Sequence, residues 1–453
     1  MRILILATAL AALMTLPAEA QDNRPRSEAQ SQADVPVPRE TVGAVAGRIR
    51  ELYFDPAAGD RIADGLEAES AAGAFDALTD PRDLAAALSR RLRPLDAHFN
   101  VAWDPNAPAA GGPGGGPQRV RRAPGSPPPP GAGGPERRGA NPMEARGHFG
   151  FRKVEILPGN VGYIDLRQFS NIDFGNPADP ARRAADAALD FVADADAVIF
   201  DLRDNGGGAP SMVGYLTSAF TPANAPIYNV FHSREGTQSE APQVFYPTPR
   251  LDVPVYVLIS GRTGSAGEAF PYTLQGARRA TIVGEASGGA ANPGGMVPVG
   301  GGFAIFISQG SPKNPNTGGN WEGTGVIPDV AVPWDQALTR AHKLALEAIV
   351  TADSGRTDAA WALQAMNSTA PAGDLTPYAG TYGEQTISVA GDRLNVVRGR
   401  RPPVALARLD GDLFTVVGDP GRRVQFSRDG AGRVVTMDQV GFGGPGPRAR
   451  RTD

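Results

Sequence analysis

Four short apolar runs recur along the middle of the chain: VGYIDL (161–166), AVIFDL (197–202), VPVYVLIS (253–260) and TIVGEA (281–286). Stretches with helical spacing lie between them, such as PARRAADAALDFVADA (180–195) and GEAFPYTLQGARRA (267–280). A strand that is apolar at every position has both faces covered, and strands alternating with amphipathic helices are the signature of a largely parallel sheet. The alternation therefore predicts an α/β core, which GFAIFIS (302–308) and VIPDVAVP (326–333) extend.

The flanks read differently. MRILILATALAALMTLPAEAQ opens with a basic residue, an apolar run and Ala18-Glu19-Ala20, the pattern of a cleaved secretory signal at 1–20. A polar leader follows at 21–36, then a helical domain at 37–95. The α/β domain is expected at 96–351. Residues 104–147 interrupt it with Gly, Pro, Ala and Arg, including GGPGGGP and GSPPPPGAGGP, and are too poor in apolar surface to order themselves. A linker is expected at 352–373, a small antiparallel β barrel or sandwich at 374–442, and a frayed tail at 443–453. The turn pairs Gly391-Asp392, Asp410-Gly411 and Asp429-Gly430 mark the β domain.

Composition excludes several chemistries. With 44 basic and 48 acidic residues the net charge is −4, which gives no footprint for nucleic acid. There is no cysteine, so neither a disulfide nor a thiol nucleophile is available. The four histidines, His98, His148, His232 and His342, form no metal-ligand spacing, and neither a metal nor another cofactor is expected. After the signal no apolar run is long enough to span a bilayer.

GRTGSAGEAF (261–270) follows the third strand, so Ser265 sits where a strand turns into a helix. Such a corner lifts a hydroxyl out of the sheet and points helix N–H groups at whatever it attacks. Ser265 is equally placed to be an ordinary helix cap. Three further stretches accompany it: LDAHFNV (95–101), VIFDLRDNGGG (198–208) and GNWEGTGVIPDV (319–330).

Together, in this order, the four stretches resemble the serine peptidase family of the C-terminal processing proteases, the tricorn core and interphotoreceptor retinoid-binding protein. The likeness covers roughly residues 40–345 and is to the branch without a PDZ domain. It implies a ClpP/crotonase-like β–α superhelical core. It implies Ser265 as nucleophile, His98 as its base and Glu322 as the carboxylate of the charge network. It also implies oxyanion donors from the N–H of Ala266 and from the glycine turn, Gly207 or Gly208. The Ser–Lys variant of the family does not fit, since the position about 25 residues after the serine is Ala290. Ala97 departs from the tricorn pattern, which has a serine there, and Pro271 falls inside the expected helix. Glu268 reads as support for the helix N-terminus, Glu285 as a second candidate carboxylate, Trp321 as packing and Arg203 as a brace of the glycine turn.

The expected function is an exported serine endopeptidase, periplasmic or secreted, acting on peptides or unfolded proteins and compatible with a homo-oligomer. The competing reading is a non-catalytic protein that binds an apolar ligand or peptide on the same fold. An α/β-hydrolase esterase is disfavoured, because Thr263 replaces the first glycine of GxSxG and only His342 follows the serine.

Overall fold

A computed structural model describes residues 37–105, 142–369, 371 and 373–453. The expected signal, leader and most of the Gly/Pro-rich insertion lie outside the described residues.

The core is a six-stranded sheet in the order Val330–Ala331, Ala280–Gly284, Val255–Ile259, Ala197–Asp201, Val161–Leu166, Phe151–Leu157. Every neighbouring pair is parallel except the last, which is antiparallel. The central strands are buried at every position, as the unbroken apolar runs require. Helices Pro180–Phe191, Pro210–Ser218 and Ala266–Gly276 cover one face, and Ala337–Ala352 with Thr357–Asn367 cover the other.

Three helices, Pro38–Leu52, Pro56–Ala71 and Pro81–Leu92, make up the N-terminal segment. Each begins with proline at its first turn, where the missing N–H costs nothing, and Asp55 and Asp80 cap the second and third. This segment does not close a core alone. Leu84, Leu88 and Phe99 pack in one cluster with Val101, Val297, Phe303 and Ile305. The last four come from a three-stranded antiparallel sheet of Asn100–Trp103, Phe303–Ser308 and Gly294–Gly300. The strand just after His98 thus pairs with residues some 200 positions away and not with its sequence neighbour Phe151–Leu157.

The C-terminal part is an eight-stranded antiparallel meander from Gly380–Tyr382 to Gly444–Arg450. A bridge between Tyr382 and Arg451, with Thr452 N–H donating to Thr381 O (2.9 Å), joins its ends. Joined ends leave no open edge. Tyr378, Tyr382, Phe414 and Phe426 fill the interior.

Two expectations are corrected. Residues 443–453 are not frayed, because Gly444–Arg450 is a paired strand. The linker at 352–373 contains the helix Thr357–Asn367, whose Trp361 lies under the Arg423 guanidinium at 4.0 Å. The helix after Ser265 starts at Ala266 and runs through Pro271.

Candidate active site

Ser265 terminates a stitched turn. Thr263 Oγ donates to Leu202 O (2.7 Å) and Ser260 Oγ to Arg203 O (2.6 Å), while Gly264 N–H donates to Asn205 O (3.0 Å). These bonds fasten the 260–264 turn to the 202–205 segment at the end of the neighbouring strand. Arg203 braces that segment through a two-point pair with the buried Asp201 (2.9 and 2.6 Å), as expected.

Ser265 itself has φ 55° and ψ −122°. A non-glycine residue in such a conformation costs on the order of 1–3 kcal/mol and needs surrounding restraint. The restraint is Glu268, which is fully buried. Its Oε2 accepts the Ser265 N–H (2.7 Å) and the Ala290 N–H (2.9 Å), and its Oε1 accepts from Gly289 N–H (2.7 Å) and Ser287 Oγ (2.6 Å). Burial pushes the Glu268 carboxyl up from its ordinary range, opposed by these four donors. Glu268 is therefore more than support for a helix end: it holds the serine backbone to the 287–290 loop.

The glycine turn lies against the serine. Gly207 has φ +120°, and a Cβ added there would sit 2.8 Å from Ser265 Cβ. Gly208 has φ +141°, and its added Cβ would collide with Phe169 O at 2.0 Å. Only glycine fits either position. Asn205 Oδ1 accepts the Gly207 N–H (2.9 Å). Among the described residues no acceptor faces the N–H of Ala266 or Gly208. Of the two glycines, Gly208 rather than Gly207 has a backbone donor left over.

His98 follows the turn after helix Pro81–Leu92. Its ring stacks on Phe306 (5.6 Å between centroids) and its Nδ1 lies 3.2 Å from Glu322 Oε1. Glu322 Oε2 accepts two N–H groups, from Ala291 (2.7 Å) and Asn292 (2.9 Å). Four consecutive N–H groups of one loop thus divide between two acids: Gly289 and Ala290 go to Glu268, and Ala291 and Asn292 to Glu322. By this loop the serine corner and the histidine–glutamate pair are held to each other. No hydrogen bond joins Ser265 Oγ to His98 among the described residues; such bonds are often long before substrate binds.

A second carboxylate, missed at the sequence level, faces His98. Asp96 Oδ1 is 3.4 Å from Nδ1 and accepts the His98 backbone N–H (2.9 Å). Its Oδ2 accepts from the Tyr53 hydroxyl (3.2 Å). The available signal was an acid two residues before the histidine in LDAHFNV. Burial works to lower the His98 pKa, but Asp96 and Glu322 outweigh it and hold the imidazole up at about 9. Burial works to raise Asp96, and its bonds to His98 leave it below the usual carboxylate range.

The remaining candidates fall elsewhere. Glu285 is exposed and accepts the Trp334 N–H (3.0 Å), away from the histidine. Trp321 is buried and packs on Tyr272 (5.1 Å), as a packing residue should. His342 is buried against Pro158 O (2.8 Å), and His232 is exposed. Asp96, His98 and Glu322 bring ligand-type atoms within 4.8 Å of one another, the one such group among the described residues. Both Asp96 oxygens and one Glu322 oxygen already accept from protein donors, which suits a hydrogen-bonded charge network better than a cation site.

The chain is 28% identical over 192 residues to a carboxy-terminal-processing protease of Bartonella bacilliformis, covering 41% of this chain and 42% of that protein. It is 32% identical over 126 residues to a carboxyl-terminal-processing protease of Synechocystis sp., covering 28% and 27%. The chain therefore spans less than half the length of these curated relatives. Among solved structures, the photosystem II D1 C-terminal processing protease aligns at 20% identity and a TM-score of 0.31, over 39% of this chain and 43% of that one. The tricorn protease aligns at 17% and 0.27, over 40% and 16%. Residues 160–332, the stretch that carries the glycine turn, Ser265 and Glu322, match the model of peptidase family S41.

Proposed function

We propose that the protein is an exported serine endopeptidase that cleaves peptides or unfolded proteins, on a core of the ClpP/crotonase-like superhelical type. The observation that carries the reading is the meeting of His98 and Glu322 at 3.2 Å, across 224 residues of chain, with Glu322 and the buried acid that holds Ser265 both bound to the 289–292 loop. A module that only binds has no need of a histidine pinned by carboxylates and tied through one loop to a strained serine.

In this mechanism Ser265 Oγ attacks the scissile carbonyl carbon as His98 Nε2 takes its proton. The C–O bond forms, the carbonyl π electrons move to oxygen, and the N–H groups of Ala266 and Gly208 receive the negative charge. Each such donor is worth about 3 kcal/mol of barrier. Glu322 holds the Nδ1–H and stabilises the imidazolium. Collapse breaks the C–N bond, and the His98 proton leaves with the amine. Water, deprotonated by His98, then releases the acyl group and restores the serine. The base must be neutral to start, so the high His98 pKa makes an alkaline working range part of the proposal.

The test compares purified protein with Ser265→Ala on a mixture of denatured proteins, reading new peptide termini by mass spectrometry. New termini with the wild type alone support the reading. No cleavage by either folded protein, or equal cleavage by both, refutes it.

A further inference from the structure

His98 Nδ1 carries one hydrogen and faces two carboxylates. Glu322 is at 3.2 Å and Asp96 at 3.4 Å. The two acids are built differently. Glu322 is held by a loop and its side chain is partly exposed, whereas the Asp96 side chain is essentially buried. Asp96 reaches both the ring and the main chain of the same residue, since it also accepts the His98 N–H. It is fixed in turn by Tyr53, the residue that ends helix Pro38–Leu52. Tyr53 stacks on Phe99 (5.5 Å), next to His98, and its carbonyl accepts from Arg234 (2.6 Å), at the turn of the 230–239 hairpin. Tyr53 and His98, which Asp96 joins, therefore each have a second anchor.

We propose that Asp96 is a positioning residue for His98: it fixes the ring orientation and supplies a second negative charge at Nδ1, so that the base is held from the helical segment as well as from Glu322. The proposal rests on the peptidase reading for its purpose but not for its geometry. The charged or titratable groups that bear on the ring and on Asp96 are Glu322, Tyr53 and, through Tyr53, Asp55. Arg234 also reaches Tyr53, through its main-chain carbonyl (2.6 Å).

Asp96→Asn isolates the charge. Its amide oxygen still accepts the His98 N–H and its NH2 faces the Tyr53 hydroxyl, which can accept, so the turn is kept. The first measurement is nitrogen NMR of the imidazoles in the Ser265→Ala protein, with His98 assigned by its loss in His98→Gln. With Asp96 present, His98 is expected as imidazolium at neutral pH, with a hydrogen-bonded Nδ1–H. Asp96→Asn is expected to move its midpoint down by about one pH unit or more. A His98 midpoint at or below the ordinary histidine value with Asp96 present would overturn the proposal, even if the variant failed to fold. So would an unchanged midpoint and Nδ1 shift in a folded Asp96→Asn protein.

The second measurement is the pH profile of peptide cleavage. The acid limb of kcat/KM should move to lower pH in Asp96→Asn, in step with the NMR midpoint, with KM changed less than about twofold. A lower rate at every pH with an unmoved limb would mark a purely structural role and sink the proposal. Should the wild type cleave nothing, the peptidase reading fails while the NMR result still decides the role of Asp96.

Discussion

Glu240 gives a test of the packing behind the serine helix. It follows the 230–239 hairpin and is buried with Asn229, Thr273 and Asn314. Asn229 Nδ2 donates to Glu240 Oε2 (2.7 Å) and to Thr273 Oγ (3.0 Å), and Asn314 Nδ2 donates to Asn229 Oδ1 (2.9 Å). Thr273 belongs to the helix that begins after Ser265, so this polar chain locks the hairpin to that helix. Glu240 Oε1 has no partner among the described residues. Burial pushes the carboxyl up from 4.5 to about 8, with Asn229 opposing. The unfolded chain loses this proton near its ordinary pKa, while the folded chain keeps it until about pH 8. Stability from this group is complete below the unfolded pKa and is lost as pH rises through that window. At about 1.4 kcal/mol per pH unit the loss totals about 5 kcal/mol. Glu240→Gln removes this slope but replaces one unpartnered O–H by an NH2 with two unpartnered hydrogens, at about 1–3 kcal/mol. The variant should be less stable than the parent at pH 5 and more stable at pH 8.5, with the curves crossing near about pH 6. Urea unfolding of both proteins in the Ser265→Ala background, across that range, measures it. Parallel curves, or a variant weaker at every pH, would refute the reasoning.

The remaining predictions concern the site and the barrel. Because His98 is held at about 9, kcat/KM for peptide cleavage should climb through pH 8–9; a limb near pH 6.5 in a stopped-time peptide assay would contradict the carboxylate pair's effect. Gly207→Ala should keep the fold by circular dichroism but lower kcat on the order of 100-fold, since its Cβ would press on Ser265. Phe426→Ala should cost the C-terminal barrel about 3–5 kcal/mol in a calorimetric scan, because Phe426 packs on Tyr378, Tyr382 and Phe414. Its peptide cleavage at 25 °C should stay within about twofold of the parent, as the barrel supplies no residue to the proposed site.

The parallel core was legible because its strands are buried on both faces, so apolar runs survive in the sequence with little else to mimic them. Gly294–Gly300 was not legible: GGMVPVG carries glycine and proline at positions where a strand signal needs side chains, and Gly294 is required because an added Cβ would meet Ile307 O at 2.1 Å. Gly444–Arg450 hid for the same reason. GPGPRAR has no apolar face, and it is a strand because Val434–Gly441 offers it hydrogen bonds. Helix Thr357–Asn367 was obscured by Ala and polar residues, and is defined by the packing of Trp361 on Arg423 and Phe442. At the site, Ser265, His98 and Glu322 were reached through four motifs in order. Asp96 and the double use of the 289–292 loop were not, since no local pattern tells which acid a distant backbone amide will choose.

The pairing of Asn100–Trp103 with Phe303–Ser308 has a temporal meaning. On the proposed reading, a chain emerging from the ribosome carries His98 early and Ser265 later, yet Glu322 and the strand that seats the histidine come last. Until residues near 322 are out and that long-range pairing has closed, the serine has no oriented base. On that reading competence arrives only when this long-range pairing closes, so the nascent polypeptide is protected from its own chemistry by the order of its synthesis.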